Sequence, residues 1–245
     1  MSRGRGKGRL EVSEKAGESA LLPNLTVEKV TTVDRVADAL RAEILGGGLA
    51  PGTPLREVEV ATTTGVSRGS VRQAFSVLVN EGLLSRDSYR SVMVTALDEQ
   101  DIREIYQARR MIELAAVEAT AQADEEQLTA LRQAYEEFVS AVEGGDSDEI
   151  HLADVKAHSA LVAVLGSRRL SRMHSGLMGE LRLAVTAQYQ SPPDGAALVR
   201  GHRDFIDLIT AGRTDEARAQ LAARFDHSEE LLVAAFRAAA REGQG

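Results

Sequence analysis

The segment Thr62–Phe75, TTTGVSRGSVRQAF, places a tight turn directly before an amphipathic helix. Gly65 favours the end of a preceding helix because glycine adopts a positive φ at little cost. Ser67 favours the start of the next helix, since its hydroxyl can accept a hydrogen bond from a free backbone N–H of the first turn. Apolar residues then follow at i, i+3, i+4 and i+7 spacing: Val71, Ala74, Phe75 and Leu78. The pattern predicts two helices joined by a short turn, as in a helix-turn-helix.

The face opposite this apolar stripe begins with a polar, basic turn. In a helix-turn-helix, the first turn of the second helix lies against base edges in the major groove. Arg68 and Arg72 suit bidentate contact with guanine or phosphate, and Ser67 and Ser70 suit helix capping or donation to phosphate oxygens. Gly69 costs about 1 kcal/mol relative to alanine within a helix, so its outward position favours close approach of the backbone to DNA. The alternative is a surface helix with two solvated arginines.

Helical and strand patterns continue on both sides of this segment. Apolar spacing from Thr32 predicts a first helix, which the glycines and proline of GGGLAPG end. The segment REVEVATTTG predicts the short second helix. After Gly82, two β-prone runs at 83–85 and 91–94 flank a polar tip and predict a hairpin. Together these elements predict a winged helix-turn-helix.

The remainder, from Leu97 to Gly245, has only helical patterns. The segments EGGDSDE, LGSRR, QSPPDG and TAGRTDE interrupt them. We therefore expect a mostly α protein, with a winged helix-turn-helix over residues 31–95 and an all-helical bundle of six to seven helices over residues 96–245.

Charge is divided unevenly along the 245-residue chain, whose formal charge is −8. Residues 1–95 hold 13 Lys and Arg against 11 Asp and Glu, whereas residues 96–245 hold 16 against 26. Because phosphate contacts dominate nucleic-acid affinity, the N-terminal part is the expected nucleic-acid site. Residues 1–30 mix Gly, Ser and charged residues and predict a flexible basic arm, either solvated or attracted to DNA phosphates.

No segment predicts export or membrane insertion. The sequence has no run of about 18 apolar residues, and no apolar core of a secretory signal follows the basic start MSRGRGKGRL. The absence of cysteine excludes disulfides, thiolate metal sites and cysteine nucleophiles. We expect a cytoplasmic protein with no membrane partner.

The bundle contains a candidate metal site. Asp154 and His158 in DVKAH are four residues apart and therefore share a helix face, and His202 follows on a later helix. One carboxylate and two imidazoles suit Zn, Mn, Ni or Fe. The spacing alone is a weak signal, because capped or salt-bridged Asp–His pairs are common.

The N-terminal pattern resembles the GntR family of transcriptional regulators. The resemblance runs from ALRAEILGGGLAPGTPLRE through VEVATTTGVSRGSVRQAFSVLVNEGLL to SYRSVMV. It implies that four helix-turn-helix residues contact DNA: Arg56, Arg68, Ser70 and Arg72. It also implies that the wing tip, around Tyr89 and Arg90, reaches the adjacent minor groove, and that a homodimer binds a palindromic operator in double-stranded DNA.

Three departures from the family pattern bear on the operator. Gly69 and Ser70 stand where many members carry Thr-Pro or Thr-Thr, Gln73 replaces a usual Glu, and the wing lacks a Gly-rich tip. We expect these changes to alter the preferred sequence and to leave DNA binding itself intact.

The bundle resembles the FCD effector domain of FadR-type GntR regulators. The matching segments are DIREIYQARRMIELAA, DVKAHSALVAVLGS, GHRDFIDLI and EARAQLAARFDHSEELL. The resemblance implies a divalent metal (Zn, Ni or Mn) held by one Asp and three His, with a small carboxylate effector beside it. Asp154, His158 and His202 match three ligands, whereas Arg224 stands at the fourth position. His151 and His174 match none, so we expect them at the surface or in packing.

Arg224 leaves three interpretations open, because a guanidinium cannot ligate a metal and repels a divalent cation. In the first, which we prefer, three protein ligands and water or effector hold the metal. In the second, His227 swings in to complete the site. In the third, the metal is absent and Arg224 binds the effector carboxylate directly. Arg109 is a second candidate to reach the effector, its alternative being an ion pair with Glu113, four residues on.

The leading hypothesis is a dimeric DNA-binding repressor controlled by a small organic acid bound in the bundle. One alternative is a metal-dependent hydrolase with a DNA-binding appendage, although the sequence lacks HExxH, GxSxG and P-loop motifs. Another is an effector-independent DNA-binding protein. We expect no enzymatic activity and no cofactor for chemistry.

Overall fold

The computed structural model describes residues 31–86, 91–188 and 195–242. The expected arm over residues 1–30 and the wing-tip residues Tyr89 and Arg90 lie outside these ranges. The described N-terminal elements are three α-helices and three short strands: α1 (Thr32–Leu45), β1 (Pro54–Leu55), α2 (Glu57–Thr64), α3 (Arg68–Asn80), β2 (Leu84–Arg86) and β3 (Val92–Val94). The predicted winged helix-turn-helix is confirmed.

Local capping fixes the turn between α2 and α3. Gly65 ends α2 with φ 71°, and its N–H donates to the carbonyl of Ala61. Ser67 begins α3 by accepting a hydrogen bond from the Ser70 N–H at 3.1 Å. Both features follow from the residue types, because glycine tolerates positive φ and a serine hydroxyl satisfies a free N–H of the first turn.

The sheet contains one strand that the sequence pattern did not reveal. β3 lies between β1 and β2 and pairs antiparallel with both. Pro54 faces Met93, and Leu55 faces Val92. A two-residue strand is too short to show the alternation that marks a strand in sequence. Its pairing depends on residues nearly forty positions further along the chain.

The winged part has its own apolar core. Phe75 and Leu78, at 1% and 0% exposure, lie at its centre. The stripe predicted on α3 is the buried one, which leaves the polar first turn on the opposite side. The other buried members come from α1, α3, the sheet with the residue before β2, and one later helix: Val36, Ala37, Ile44, Val71, Ala74, Leu83, Leu84, Val92, Val94 and Leu183.

The remaining described residues form six α-helices, as the fold prediction required. They are α4 (Glu99–Ala119), α5 (Glu125–Gly144), α6 (Ser147–Ala163), α7 (Arg168–Gln188), α8 (Gly195–Thr210) and α9 (Thr214–Glu242). A single 3-10 turn, Thr120–Gln122, follows α4. The fully buried side chains Tyr135, Phe138 and Phe205 lie in their common core. Among the described helices, none is both long and apolar enough to cross a membrane.

Helix α7 belongs to the bundle and also lies against the winged part. Leu183 of α7 is buried in the N-terminal core. Near it, the backbones are so close that a Cβ added to Gly179 would lie 1.5 Å from the carbonyl oxygen of Glu81. A Cβ added to Gly82 would lie 2.6 Å from the carbonyl oxygen of Gly176. The end of α3 and the middle of α7 therefore meet through glycines.

We expect Gly179→Ala to lower the free energy of unfolding by about 1–3 kcal/mol, because the new methyl group overlaps a backbone carbonyl that cannot rotate away. The measurement is urea unfolding. Gly201→Ala in α8 is the matched control, since its added Cβ meets nothing within 4 Å. The control should gain about 0.5–1 kcal/mol from helix propensity. Equal stabilisation of both variants would contradict the close contact.

Candidate functional site

The first turn of α3 presents the expected DNA-facing residues to solvent. The side chains of Arg68 and Arg72 are 64% and 62% exposed. Ser67 and Gly69 are also exposed, and Ser70 is half-buried. A Cβ added to Gly69 would meet only the Ser67 hydroxyl, at 3.7 Å. Nothing within the described chain therefore requires glycine at this position.

Carboxylates on α2 hold two of the exposed arginines. Arg72 donates from Nε and Nη2 to the two carboxylate oxygens of Glu57, both at 2.8 Å. Arg68 Nη2 lies 4.0 Å from the same carboxylate. Arg56 donates to Glu59 at 3.0 Å. The arginines could be predicted from the sequence, whereas the role of Glu57 could not, because its partner lies fifteen positions away in the chain.

The bundle brings together the three predicted metal ligands. Asp154 and His158 lie on α6, and His202 lies on α8. Asp154 Oδ1 is 3.6 Å from Nε2 of His158 and 3.6 Å from Nε2 of His202. One ligand atom from each residue falls within 4.8 Å of the others. Both histidines are buried, whereas the Asp154 side chain is 35% exposed, so the cluster is open on the Asp154 side.

Behind His158 lies a buried carboxylate, Glu113 of α4, with an exposure of 0%. Its oxygens lie 2.5 Å from Nδ1 of His158, 3.0 Å from Nε2 of His174 and 2.8 Å from Nε of Arg109. Burial raises the pKa of Glu113, but the charge of Arg109 and the hydrogen bonds from His158 and His174 outweigh burial and hold that pKa well below its ordinary value. The carboxylate is therefore ionised and accepts from all three partners.

The hydrogen bond to Glu113 determines which nitrogen of His158 is available to a metal. An ionised carboxylate only accepts, so Nδ1 of His158 carries the proton and Nε2 presents a lone pair towards Asp154. Burial lowers the pKa of His158, which favours its neutral form. A histidine oriented by a carboxylate behind it is the usual arrangement at metal centres. The residues present therefore fit a divalent metal with three protein ligands.

Two histidines lie in different places from the metal cluster. His174 is completely buried, and its hydrogen bond to Glu113 gives it a polar role within the bundle interior. His227, the proposed substitute ligand, is exposed on α9 and is not part of the cluster. The role of His174 was missed because it depends on a contact between α4 and α7 that no local spacing reveals.

Arg109 and Arg224 occupy different surroundings inside the bundle. Arg109 is buried in its ion pair with Glu113, and its guanidinium carbon lies 4.8 Å from the centre of the Phe225 ring. This is the ion pair that the sequence offered as the alternative to an effector contact. Arg224 lies over the Phe205 ring at 5.4 Å, and its buried Nη2 has no hydrogen-bond partner among the described residues.

The hydroxyl of Tyr135 lies buried beside Arg224 and interacts with its guanidinium. Burial raises the pKa of Tyr135, and the neighbouring Arg224 charge offsets that rise only in part. Tyr135 also stacks on Phe205 and lies 5.6 Å from the His202 ring, between centroids. The Arg224 guanidinium and the Tyr135 hydroxyl therefore lie next to each other, and Tyr135 adjoins the candidate metal cluster through His202.

Comparison with known proteins identifies both parts of the chain. A model of the bacterial regulatory proteins of the gntR family matches residues 32–94, and a model of the FCD domain matches residues 104–227. The HTH-type transcriptional regulator YdhC of Bacillus subtilis (strain 168) is 30% identical over 195 residues, which cover 79% of this chain and 87% of that protein.

The chain belongs to the GntR family of bacterial transcriptional regulators. The gluconate operon transcriptional repressor of Bacillus subtilis (strain 168) is 27% identical, covering 77% of this chain and 80% of that protein. A GntR-type regulator structure from Rhodococcus sp. RHA1 has 27% identity and a TM-score of 0.69, covering 82% of this chain and 97% of that one. E. coli McbR/YncC, at 22% identity and TM-score 0.64, shares the fold over 83% of this chain and 98% of its own.

This GntR regulator is a DNA-binding transcriptional regulator and not an enzyme, because both families and the relatives are transcriptional regulators. The alternative of a metal-dependent hydrolase with a DNA-binding appendage is therefore wrong. The cluster of Asp154, His158 and His202 therefore lies in the FCD domain of a regulatory protein.

We expect Glu113→Gln to lower the free energy of unfolding of this GntR regulator by about 3–5 kcal/mol, because removing one partner of a buried ion pair leaves the Arg109 charge uncompensated. Urea unfolding at neutral pH measures the change. Glu118→Gln on the same helix is the control, since the Glu118 side chain is 61% exposed and pairs with Arg218 at the surface. The control should stay within about 1 kcal/mol of wild type.

The pH dependence should follow the same carboxylate. The folded-state pKa of Glu113 is depressed, so its contribution to stability is present above the ordinary value of 4.5 and is lost as the pH falls below it. The stability difference between wild type and Glu113→Gln should therefore shrink in acid. A difference at neutral pH no larger than that of Glu118→Gln would refute the central role of Glu113.

Proposed function

We propose that this GntR regulator is a ligand-responsive repressor in which a small organic acid, bound in the FCD domain, alters operator binding. The observation that carries the proposal is the polar centre of the bundle, which is linked through His174 to α7. The same helix lies against the end of α3 through Gly179 and Glu81. A site in the bundle and the DNA-binding helices therefore contact one structural element.

In the proposed complex, the first turn of α3 enters the major groove of double-stranded DNA. Arg68 and Arg72 contact bases or phosphates, Arg56 and Ser70 contact phosphates, and Gly69 allows close approach of the backbone. The wing tip at Tyr89 and Arg90 reaches the adjacent minor groove. A homodimer places two winged helix-turn-helix domains on a palindromic operator, so the contacts of both domains contribute to the affinity.

Repression is supported by the relatives that carry a functional name. The gluconate operon regulators of two Bacillus species are transcriptional repressors. A repressor is released from its operator when the effector binds more tightly to the conformation that fits DNA poorly. We propose that the effector binds at the cluster of Asp154, His158 and His202 in the FCD domain.

The proposed centre holds one divalent metal, Zn, Ni or Mn, by Asp154, His158 and His202. A bound metal would supply an electrophilic point for an effector carboxylate. Arg224 and Tyr135 supply hydrogen-bond donors for the same carboxylate, and a guanidinium matches it as a fork. In this arrangement Arg224 replaces the fourth protein ligand with an effector-binding group. Arg109 remains a candidate that acts on the effector indirectly, through Glu113 and His158.

Coupling to DNA follows the hydrogen bonds of Glu113. Any ligand that repositions His158 changes the carboxylate that His158 shares with His174. His174 lies five residues before Gly179 on α7, so a shift of α7 reaches Glu81 directly. Glu81 in turn receives two hydrogen bonds from Arg41 of α1, at 2.9 and 2.7 Å. Each winged helix-turn-helix domain would therefore move as a unit.

We expect DNA fragments from the protein's own upstream region to be retarded in a gel shift at low salt, with affinity falling steeply as salt rises. Arg68→Ala should weaken binding at least about tenfold, because it removes a contact from the groove-facing turn. Arg203→Ala on α8 is the control, since Arg203 is exposed and pairs with Glu143 within the bundle. If the wild-type protein retards no palindrome-containing fragment from that region, the proposed function is wrong.

Zinc titration of purified protein tests the metal. Wild type should bind one Zn²⁺, Asp154→Ala should lose it, and His227→Ala should keep it, because His227 is outside the cluster. Arg224→His should bind Zn²⁺ at least about tenfold more tightly, since a fourth imidazole replaces a repelling charge. If wild type binds no Zn²⁺ while Arg224→His does, the metal proposal is overturned and direct carboxylate binding by Arg224 replaces it.

A further inference from the structure

The pairing of Arg72 with Glu57 leaves a defined part of the guanidinium available to DNA. A guanidinium has two bidentate edges, one formed by Nε and one Nη, the other formed by the two Nη atoms. Glu57 occupies the first edge, because it accepts from Nε and Nη2 of Arg72. The second edge, Nη1 with the remaining Nη2 hydrogen, is not used in this ion pair. The Arg72 side chain is 62% exposed.

This second edge has the geometry that recognises guanine. Guanine presents O6 and N7 as adjacent acceptors in the major groove, and a bidentate arginine is their commonest specific partner. A phosphate can also accept from two guanidinium nitrogens, but phosphates are the same at every nucleotide, so a contact to phosphate carries no sequence information. Holding the plane from the side serves base recognition because it removes rotamers that would otherwise be lost on binding.

The position of Glu57 is itself fixed by the fold. It is the first residue of α2, where the helix dipole favours a negative charge. Hydrogen bonding from Arg72 lowers the pKa of Glu57, so the carboxylate stays ionised at neutral pH. Its side chain is 26% exposed, less than half the exposure of the arginine that it holds. Glu57 therefore holds the Arg72 side chain from the side that faces away from the proposed groove contact.

Arg56 and Arg68 are held differently from Arg72. Arg68 makes a single 4.0 Å approach to Glu57, and Arg56 uses Nη1 to reach Glu59. A single contact leaves the guanidinium plane free to turn. Of the three arginines that we place at DNA, Arg72 is the one whose plane is set before binding.

We propose that Glu57 is a specificity-determining residue that positions Arg72 to recognise a guanine in each operator half-site. The inference rests on the proposed placement of α3 in the major groove. Glu57 itself touches no base, and as an anion it weakens attraction to phosphates. Glu57 therefore increases discrimination between operator sequences and lowers the affinity for DNA of any sequence.

The test is a base-substitution series on an operator fragment from the upstream region, with each base pair of one half-site replaced in turn. Wild type should show one guanine position at which any replacement weakens binding about tenfold or more. Arg72→Ala should remove the penalty at that position alone. Glu57→Gln should reduce the penalty to about threefold or less and raise affinity for unrelated DNA.

Glu59→Gln is the matched control, because it removes the same charge from the same helix and leaves the Arg72 contact intact. It should raise affinity for unrelated DNA in the same way and keep the full guanine penalty. The double variant Glu57→Gln, Arg72→Ala should discriminate between bases as well as Arg72→Ala does alone, because Glu57 acts through Arg72. Glu57→Asp, whose shorter side chain keeps the charge, should give an intermediate penalty.

Two results would overturn the proposal. One is a Glu57→Gln variant that keeps the wild-type guanine penalty while Arg72→Ala loses it. The other is an Arg72→Ala variant that weakens binding uniformly at all positions, which would place Arg72 on phosphate. Absence of binding by wild type to every fragment is a different outcome, since it would defeat the proposed function and not the role of Glu57.

Discussion

The ionised carboxylate of Glu113 is the constraint on which the bundle centre depends. A charge at 0% exposure is tolerated only when donors surround it, and Glu113 has donors from three helices: Arg109 on its own α4, His158 on α6 and His174 on α7. Satisfying this one group fixes the relative positions of α4, α6 and α7. It also fixes the tautomer of His158, and therefore directs Nε2 towards Asp154. The geometry of the candidate metal cluster therefore depends on the Glu113 charge behind His158.

Helix α7 connects the Glu113 hydrogen bonds to the winged part. Its buried His174 belongs to the Glu113 network, and about one and a half turns later Gly179 lies against the Glu81 carbonyl. Glycine at this contact lets the two backbones approach closely, because any side chain would overlap the Glu81 carbonyl. Leu183, one turn further, is buried among residues of the winged core. The polar bonds of His174 and the contacts of Gly179 and Leu183 therefore join α7 to both cores.

The sequence predicted features that depend on neighbours in the chain. The helix boundaries at Gly65 and Ser67, the apolar stripe through Phe75 and the shared face of Asp154 and His158 all follow from local spacing. Features that depend on distant partners were missed: strand β1, which pairs with β3, and the bonds of Glu57 and His174 to residues on other helices. Glu113 did leave a local signal, since it is a charged residue on the apolar face of α4 that carries Ile102, Tyr106 and Ala116. A charge on such a face predicts a buried partner without naming it.

Glu57 and Glu113 show how an acidic protein can orient cationic and imidazole groups towards DNA and towards the anionic effector that we propose. Each carboxylate holds a cationic or imidazole group from behind and leaves its outward edge for a partner. Glu113 is buried, so its ion pair affects stability strongly, and losing it should disturb the whole bundle. Glu57 is near the surface, where an ion pair contributes little to stability, so its effect is directional. The same residue type thus serves rigidity in one domain and selectivity in the other, and the difference follows from burial alone.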